Sequence, residues 1–343
     1  MPDLVCFGEA MLRLSPTNFD RLEQMRQLDV HVGGSEFNVA VGAARLGLDA
    51  GWVTCLPDNA LGRLACNKAR EHGVHVDGIQ WRADRRLGIY FVEMGAAPRP
   101  SAVLYDRAHS AMAEVRAGSF DWPELLRGAR AFHTGGITPA LGAGAAQETL
   151  NALRTARELG CMTSYDLNYR RNLWSAEEAA RVQREFMPYI DLLITTEEDA
   201  HVVFGIAPRV DGKLDTTYAT LDADRYSEVA RALAKTFSIP AVAITMRKNP
   251  SVWRNAWSAL VWCHGNVVRS TEYEVEVVDR VGAGDSFAAG LLYSYLNSQD
   301  WEKAVPYAVA FSALKHSIPG DCNWTTDAEV QRLLGDCSMR VAR

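Results

Sequence analysis

The sequence predicts an α/β protein: a doubly wound, mostly parallel sheet with helices on both faces, with two added pairs of strands that fit either a separate small sheet or hairpins packed on the edge of the core. Three observations carry that prediction. Short runs that are apolar on both faces recur at Leu4 to Phe7, Trp52 to Leu56, Leu192 to Thr195 and Ala241 to Thr245, as strands covered by helices on each side require. Amphipathic stretches lie between them, and such alternation implies a sheet whose ligands gather beyond the carboxyl ends of its strands. Two further stretches break this rhythm and read as paired strands.

Along the chain, Leu4 to Phe7 opens the main sheet. Met11 to Leu14 with Leu28 to Val32 forms the first added pair of strands. Gly33 and Gly34 then give way to a helix starting near Glu36, where a double glycine allows a tight turn with its backbone open to a ligand. A plain strand-to-helix turn fits the same residues. His72 and His75 are three apart, but Gly73 between them marks a helix end rather than a metal site. The second added pair is Leu87 to Met94 with Ala102 to Arg107, joined by a turn containing Pro98 and Pro100. A period of two puts Tyr105 and Arg107 on one face, with Tyr90 on the partner strand. Periodicity leaves open whether that face meets a ligand or solvent.

Ala146, Leu150, Leu153 and Ala156 mark a helix that ends toward Gly160. Asp222 reads as the N-cap of another, whose stripe is Tyr226, Val229, Ala230, Leu233, Ala234 and Phe237. Finally, Tyr273 to Val278 alternates as a strand, and Phe287, Leu291, Leu292 and Tyr295 fall at helical spacing.

At 343 residues the chain buries a large core, as one α/β domain or as a domain with an appendage; composition does not choose. Hydrophobic residues at 48% and charged residues at 23% exclude disorder and repeat scaffolds. A net charge of -6 speaks against a nucleic-acid surface. No apolar run approaches a membrane span, and Met1-Pro2-Asp3-Leu4 lacks the pattern of a secretory signal. Seven cysteines without a C-x-x-C pair read as buried thiols in a reducing, cytoplasmic compartment.

The most informative segment is Asp279-Arg280-Val281-Gly282-Ala283-Gly284-Asp285-Ser286-Phe287, between that last strand and helix. The glycines let a ligand approach the backbone, and the first free amides of a helix, aided by its dipole, attract anions. Asp285 is either a reactive carboxylate or an ordinary helix-start residue, which the dipole also favours. No G-x-G-x-x-G, G-x-x-x-x-G-K-[ST] or H-R-D element is present, which excludes dinucleotide dehydrogenases, P-loop kinases and protein kinases.

Other segments give Asp285 company. Gly33-Gly34-Ser35-Glu36-Phe37-Asn38-Val39-Ala40 with Leu46-Gly47, together with Asp-x-x-Gly-Ala-Gly-Asp, resembles the two signatures of the ribokinase-like (PfkB) carbohydrate kinases. Gly8 to Pro16, Asp166-Leu167-Asn168-Tyr169-Arg170 with Leu173-Trp174, and Leu314 to Asp321 resemble the 2-keto-3-deoxygluconate kinases of that family. The resemblance implies one ribokinase-like domain over 1–343, with strands of a small β lid inserted at about 10–33 and 84–108. It implies ATP and Mg²⁺, in some members a monovalent cation such as K⁺, and phosphorylation of 2-keto-3-deoxygluconate to its 6-phospho acid.

In that reading Asp285 is the general base, and the amides of Gly282, Ala283, Gly284 and Asp285 hold the charge that builds on the transferred group. Gly33, Gly34, Asn38, Tyr90, Tyr105, Arg107 and Arg170 meet the substrate. Two guanidiniums suit a sugar acid better than a neutral sugar, although Arg170 also fits a solvent ion pair. Asn168, Thr196, Thr245, Arg247, Gly282, Gly284 and His316 fall to the nucleotide, and Asp199 to Mg²⁺ through water.

Two departures from the family stand out. Thr196-Glu197-Glu198-Asp199 replaces an Asn-x-x-Glu element, and Thr245-Met246-Arg247-Lys248-Asn249 replaces a Thr-x-Gly-x-x-Gly loop. Arg247 is then expected to contact phosphate where glycine amides are lost. A kinase for another sugar or sugar acid (fructose, ribose, 2-keto-3-deoxygalactonate) and a non-catalytic sugar-acid sensor are the alternatives. A β lid with exposed edges also predicts a homo-oligomer, a dimer or higher.

Overall fold

A computed structural model describes residues 2–210, 213–214 and 223–335. Its central sheet has ten strands. Seven run parallel in the order Ile79–Arg82, Ala50–Pro57, Leu4–Phe7, Ala131–Gly135, Met162–Asp166, Leu192–Thr195 and Ala241–Ser251. Three antiparallel strands close one side: Arg254–Cys263, which pairs with both Asn266–Arg269 and Tyr273–Glu276.

Leu4–Phe7 shows why apolar runs mark these strands. Leu4 and Cys6 face a core shared with the helices Ser35–Leu46, Ala283–Ser298 and Trp301–Lys315. Val5 and Phe7 face the opposite core, shared with Ala143–Glu158, Ala176–Phe186 and Ala223–Phe237. The stripe from Tyr226 to Ala234 is buried as its spacing predicts; Asp222, its expected cap, lies outside the described residues. Gly160, at φ +75, ends the segment that follows Ala143–Glu158.

The two added strand pairs merge into one four-stranded sheet, ordered Leu28–Gly33, Met11–Pro16, Gly88–Glu93 and Ala102–Asp106. Met11–Leu14 joins them by pairing in parallel with Gly88–Phe91. Ala241–Ser251 is longer than the apolar run predicts. Met246, Arg247 and Lys248 continue the ladder opposite Ser258, Trp257 and Ala256, so the segment where a glycine loop is replaced is strand. With no glycine to turn it, the backbone keeps pairing. Cys6, Cys55, Cys66, Cys161, Cys263 and Cys322 are free thiols. Among the described residues, no helix is long and apolar enough to cross a membrane.

Candidate active site

The Gly-Ala-Gly turn lies at the carboxyl end of the sheet. Gly282, at φ +82, is the N-cap of Ala283–Ser298, and a Cβ there would fall 2.0 Å from the carbonyl oxygen of Asp321. Only glycine meets both conditions. Asp279 braces the turn by accepting the amides of Val281 and Gly320, each at 3.0 Å. The Ala283 amide turns back to the Arg280 carbonyl at 3.3 Å, which takes it out of the expected anion-binding set. Gly284 and Asp285, at the second and third helical positions, have no carbonyl one turn back to bond. A Cβ on Gly284 would meet nothing within 4 Å, and Gly284 and Asp285 both line the cleft.

Asp285 stands at the head of that helix, beside the start of Ser35–Leu46. Ser35 Oγ donates to its Oδ1 at 2.8 Å and Asn38 Nδ2 to its Oδ2 at 2.7 Å. Asn168 Nδ2 donates in turn to Ser35 Oγ at 3.1 Å, from a backbone at φ +38. Asn168 therefore supports the carboxylate from the side of the double glycine. Burial pushes the Asp285 carboxyl up to about 6, while the bonds from Asn38 and Ser35 and the charge of Arg170 pull it down. The glycines let the backbone crowd: a Cβ would fall 2.0 Å from the Glu9 carbonyl at Gly34, and 2.1 Å from Asp321 Oδ1 at Gly33. Gly33 packs beneath the cleft and does not line it.

The small sheet turns its aromatic face inward. Tyr90 and Tyr105 stack with centroids 5.7 Å apart, and the Tyr90 hydroxyl donates to Asp321. Arg107 lies just past the last strand residue, 5.7 Å over the Tyr105 ring. Its guanidinium is buried and bonded to Glu9, through Nε at 2.9 Å and through Nη2. The expected free guanidinium is thus already neutralised, since a buried charge requires a partner. Sequence reading missed Glu9, which lies 98 residues away. Arg170 differs: it is exposed, donates to the Tyr169 carbonyl at 2.9 Å, and pairs with no carboxylate among the described residues.

On the other wall Thr196 caps Glu197–Phe204, accepting the Asp199 amide at 3.1 Å. Burial raises Asp199 to about 6, against the opposing charge of Arg170. Behind it, burial and the charges of Asp199 and Asp285 raise Asp166 to about 8. Thr245 and Arg247 line the cleft from Ala241–Ser251, with the Arg247 guanidinium 5.3 Å over the Trp257 ring. Arg280, which sequence reading also missed, donates to the Val252 carbonyl at 2.8 Å and faces the same space. His316 does not reach it. Its ring is buried, bonded to the Ser312 carbonyl at 2.9 Å and packed on Trp257, so it belongs to the wall instead of the expected nucleotide contacts.

These residues enclose a cleft of about 360 Å³ that opens, past Tyr105, Arg107, Arg170 and Asp199, into a wider groove of about 1060 Å³. At its floor a carboxylate and two free amides adjoin; at its rim stand Arg170, Arg247 and Arg280. An anion and a hydroxyl fit there together.

This fold and this cleft define a carbohydrate kinase. The model of the pfkB family of carbohydrate kinases matches residues 1–327, and the chain belongs to that family. It is 36% identical, over 97% of its length and 96% of the relative's, to a 2-dehydro-3-deoxygalactonokinase of Haloferax volcanii. The crystal structure of a 2-dehydro-3-deoxygluconokinase from Thermotoga maritima superposes with a TM-score of 0.91 at 44% identity, covering 97% of this chain and 98% of that one. A ribokinase II described as putative, from E. coli in complex with ATP and Mg²⁺, shares the fold with a TM-score of 0.81 at 17% identity, covering 97% and 99%.

Proposed function

We propose that the protein transfers the γ-phosphoryl group of ATP to the 6-hydroxyl of 2-keto-3-deoxygluconate, giving the 6-phospho acid and ADP. The observation that carries this reading is Asp285, held by Ser35 and Asn38 beside the free amides of Gly284 and Asp285. The hydroxyl oxygen attacks the γ-phosphorus in line with the departing β-phosphate oxygen. Its proton passes to Asp285, the bond to the β-phosphate oxygen breaks, and ADP leaves with that electron pair. The two amides, pointing where charge builds, favour this geometry over the ground state. Arg170, exposed and without a carboxylate partner among the described residues, grips the substrate carboxylate. Tyr90 and Tyr105 pack against the carbon chain.

ATP and Mg²⁺ suit the donor set. Among the described residues no three His, Cys, Asp or Glu side chains converge as a metal cage. Asp199 is a hard oxygen ligand facing the cleft, as expected for an ion that keeps most of its waters and comes with phosphates. When bound, Mg²⁺ neutralises phosphate charge; Asp199 would hold it through water, and Arg247 would meet phosphate from the rim.

The similarity to the Haloferax kinase supports a second acceptor, the C4 epimer 2-keto-3-deoxygalactonate. ADP formation with Mg-ATP against both epimers, gluconate, fructose and ribose, with Asp285→Asn alongside, tests the reading. Turnover confined to 2-keto-3-deoxy acids is expected, and turnover of the neutral sugars alone would overturn it. Two further expectations belong here. The outer strand Ala102–Asp106 leaves Leu104 59% and Val103 45% exposed, which favours pairing with a second copy of the chain. The free thiols favour a cytoplasmic setting.

A further inference from the structure

The helix Trp301–Lys315 ends on a lysine that no substrate can touch. Lys315 is 0% exposed, and its ammonium donates to two main-chain carbonyls, Ile318 at 2.9 Å and Asp279 at 3.3 Å. An ammonium taken from water this completely needs both oxygen ligands and opposing charge. Opposing charge acts on it from Asp279 and Asp321 without a direct ion pair, and Arg13 bridges these two acids at 2.8 and 3.1 Å. Two acids and two bases thus make a buried cluster with no net charge.

This cluster is the back of the anion site. Asp279 holds the amides of Val281 and Gly320, Gly282 abuts the Asp321 carbonyl, and the amides of Val278 and Asp279 both donate to the His316 carbonyl. Lys315 ties the same two segments together from the inside, one carbonyl from each. Without its charge, one uncompensated carboxylate would remain behind the amides that face the phosphates, and a phosphate would be repelled through low-dielectric protein.

We propose that Lys315 is a positioning residue that serves as a built-in monovalent cation: its ammonium fixes the carbonyls flanking the Gly-Ala-Gly turn and balances the acids behind it. The inference rests on the kinase reading of the cleft. A free ion such as K⁺ would take the same oxygen ligands, but the tethered ammonium already fills them. The enzyme therefore needs no monovalent cation from solution.

The test uses the wild type and Lys315→Met, which keeps the length and removes the charge, in choline buffer free of K⁺ and NH₄⁺. Mg-ADP affinity is read by calorimetry, turnover by ADP formation, and folding by circular dichroism. Wild type should behave identically with and without K⁺. Lys315→Met should bind Mg-ADP roughly 10- to 100-fold more weakly, with KM for the sugar acid unchanged, and added K⁺ or NH₄⁺ should restore part of the affinity. A K⁺ requirement in the wild type overturns the proposal, and does so even if the variant fails to fold. A folded variant with wild-type nucleotide affinity overturns it too, and leaves the kinase reading intact. A wild type that binds no Mg-ADP overturns both.

Discussion

Asn38 Nδ2 lies 2.7 Å from Asp285 Oδ2, and this bond joins two helix starts that are 247 residues apart in the chain. One follows the double glycine and the other opens in the Gly-Ala-Gly turn, so the Asp285 carboxylate is held by the start of the helix Ser35–Leu46. Replacing Asp285 with Asn keeps the shape and removes the proton acceptor. Turnover should fall by roughly 10² to 10⁴, with Mg-ADP affinity preserved in calorimetry. Turnover near wild type would take Asp285 out of its role.

The acid limb of the pH profile should report the same carboxyl. Burial holds Asp285 up at about 6, and only its charged form accepts a proton. The kcat/KM should therefore fall tenfold or more per pH unit below about 6, where Asp199 titrates as well, and level off above it. Asn38→Ala deletes a bond that favours the charged form, so the inflection should move to higher pH. An unmoved inflection would assign the limb to another group.

Arg170→Leu should raise KM for the sugar acid by roughly 10- to 100-fold, as loss of a hydrogen bond between charged groups implies, and change KM for ATP much less. Initial rates with each substrate varied separate the two. Equal effects would move Arg170 to the phosphates.

Glu36 makes a prediction about stability. Buried beneath the cleft, it is pushed up to about 8 by desolvation, although Thr138 Oγ1, donating at 3.0 Å, lowers it somewhat. The unfolded group titrates near 4.5, so unfolding releases a proton between these values. Its stabilising contribution is complete below 4.5 and is lost as pH rises through about 8, at up to ~1.4 kcal/mol per pH unit. Glu36→Gln should flatten the decline of Tm over that range, with Asp166, at about 8, and Asp199 and Asp285, at about 6, accounting for the slope that remains. An unchanged slope counts against a protonated Glu36.

The two glycines of the turn should fail differently. Gly282→Ala forces a positive φ and a clash with the Asp321 carbonyl, and should cost ~1–3 kcal/mol by denaturant unfolding. Gly284→Ala puts its methyl into open space, so stability should hold while KM for ATP rises. Equal stability losses would refute the distinction.

Much of this was legible in the sequence for a physical reason. A turn such as Asp279 to Asp285 needs glycine where φ is positive and contact is close, and those demands are local. The period of two put Tyr105 and Arg107 on one face, and both line the cleft together with Tyr90 from the partner strand. Pairings over long separations were not legible: Glu9 with Arg107, Arg13 with Asp279 and Asp321, Ser35 with Asp285. Nothing near Arg107 signals that its charge is already taken. His316 was misread because a motif fixes the position of a residue along the chain and leaves the direction of its ring to the packing of Trp257.

In place of a glycine loop, this chain continues Ala241–Ser251 as strand and sets Arg247 on the cleft. Main-chain amides change little when residues are exchanged, whereas a side chain is one codon away from another. If Arg247 meets the phosphate donor, as proposed, exchange of that one side chain should change the preferred donor and leave Asp285 and its neighbouring amides in place.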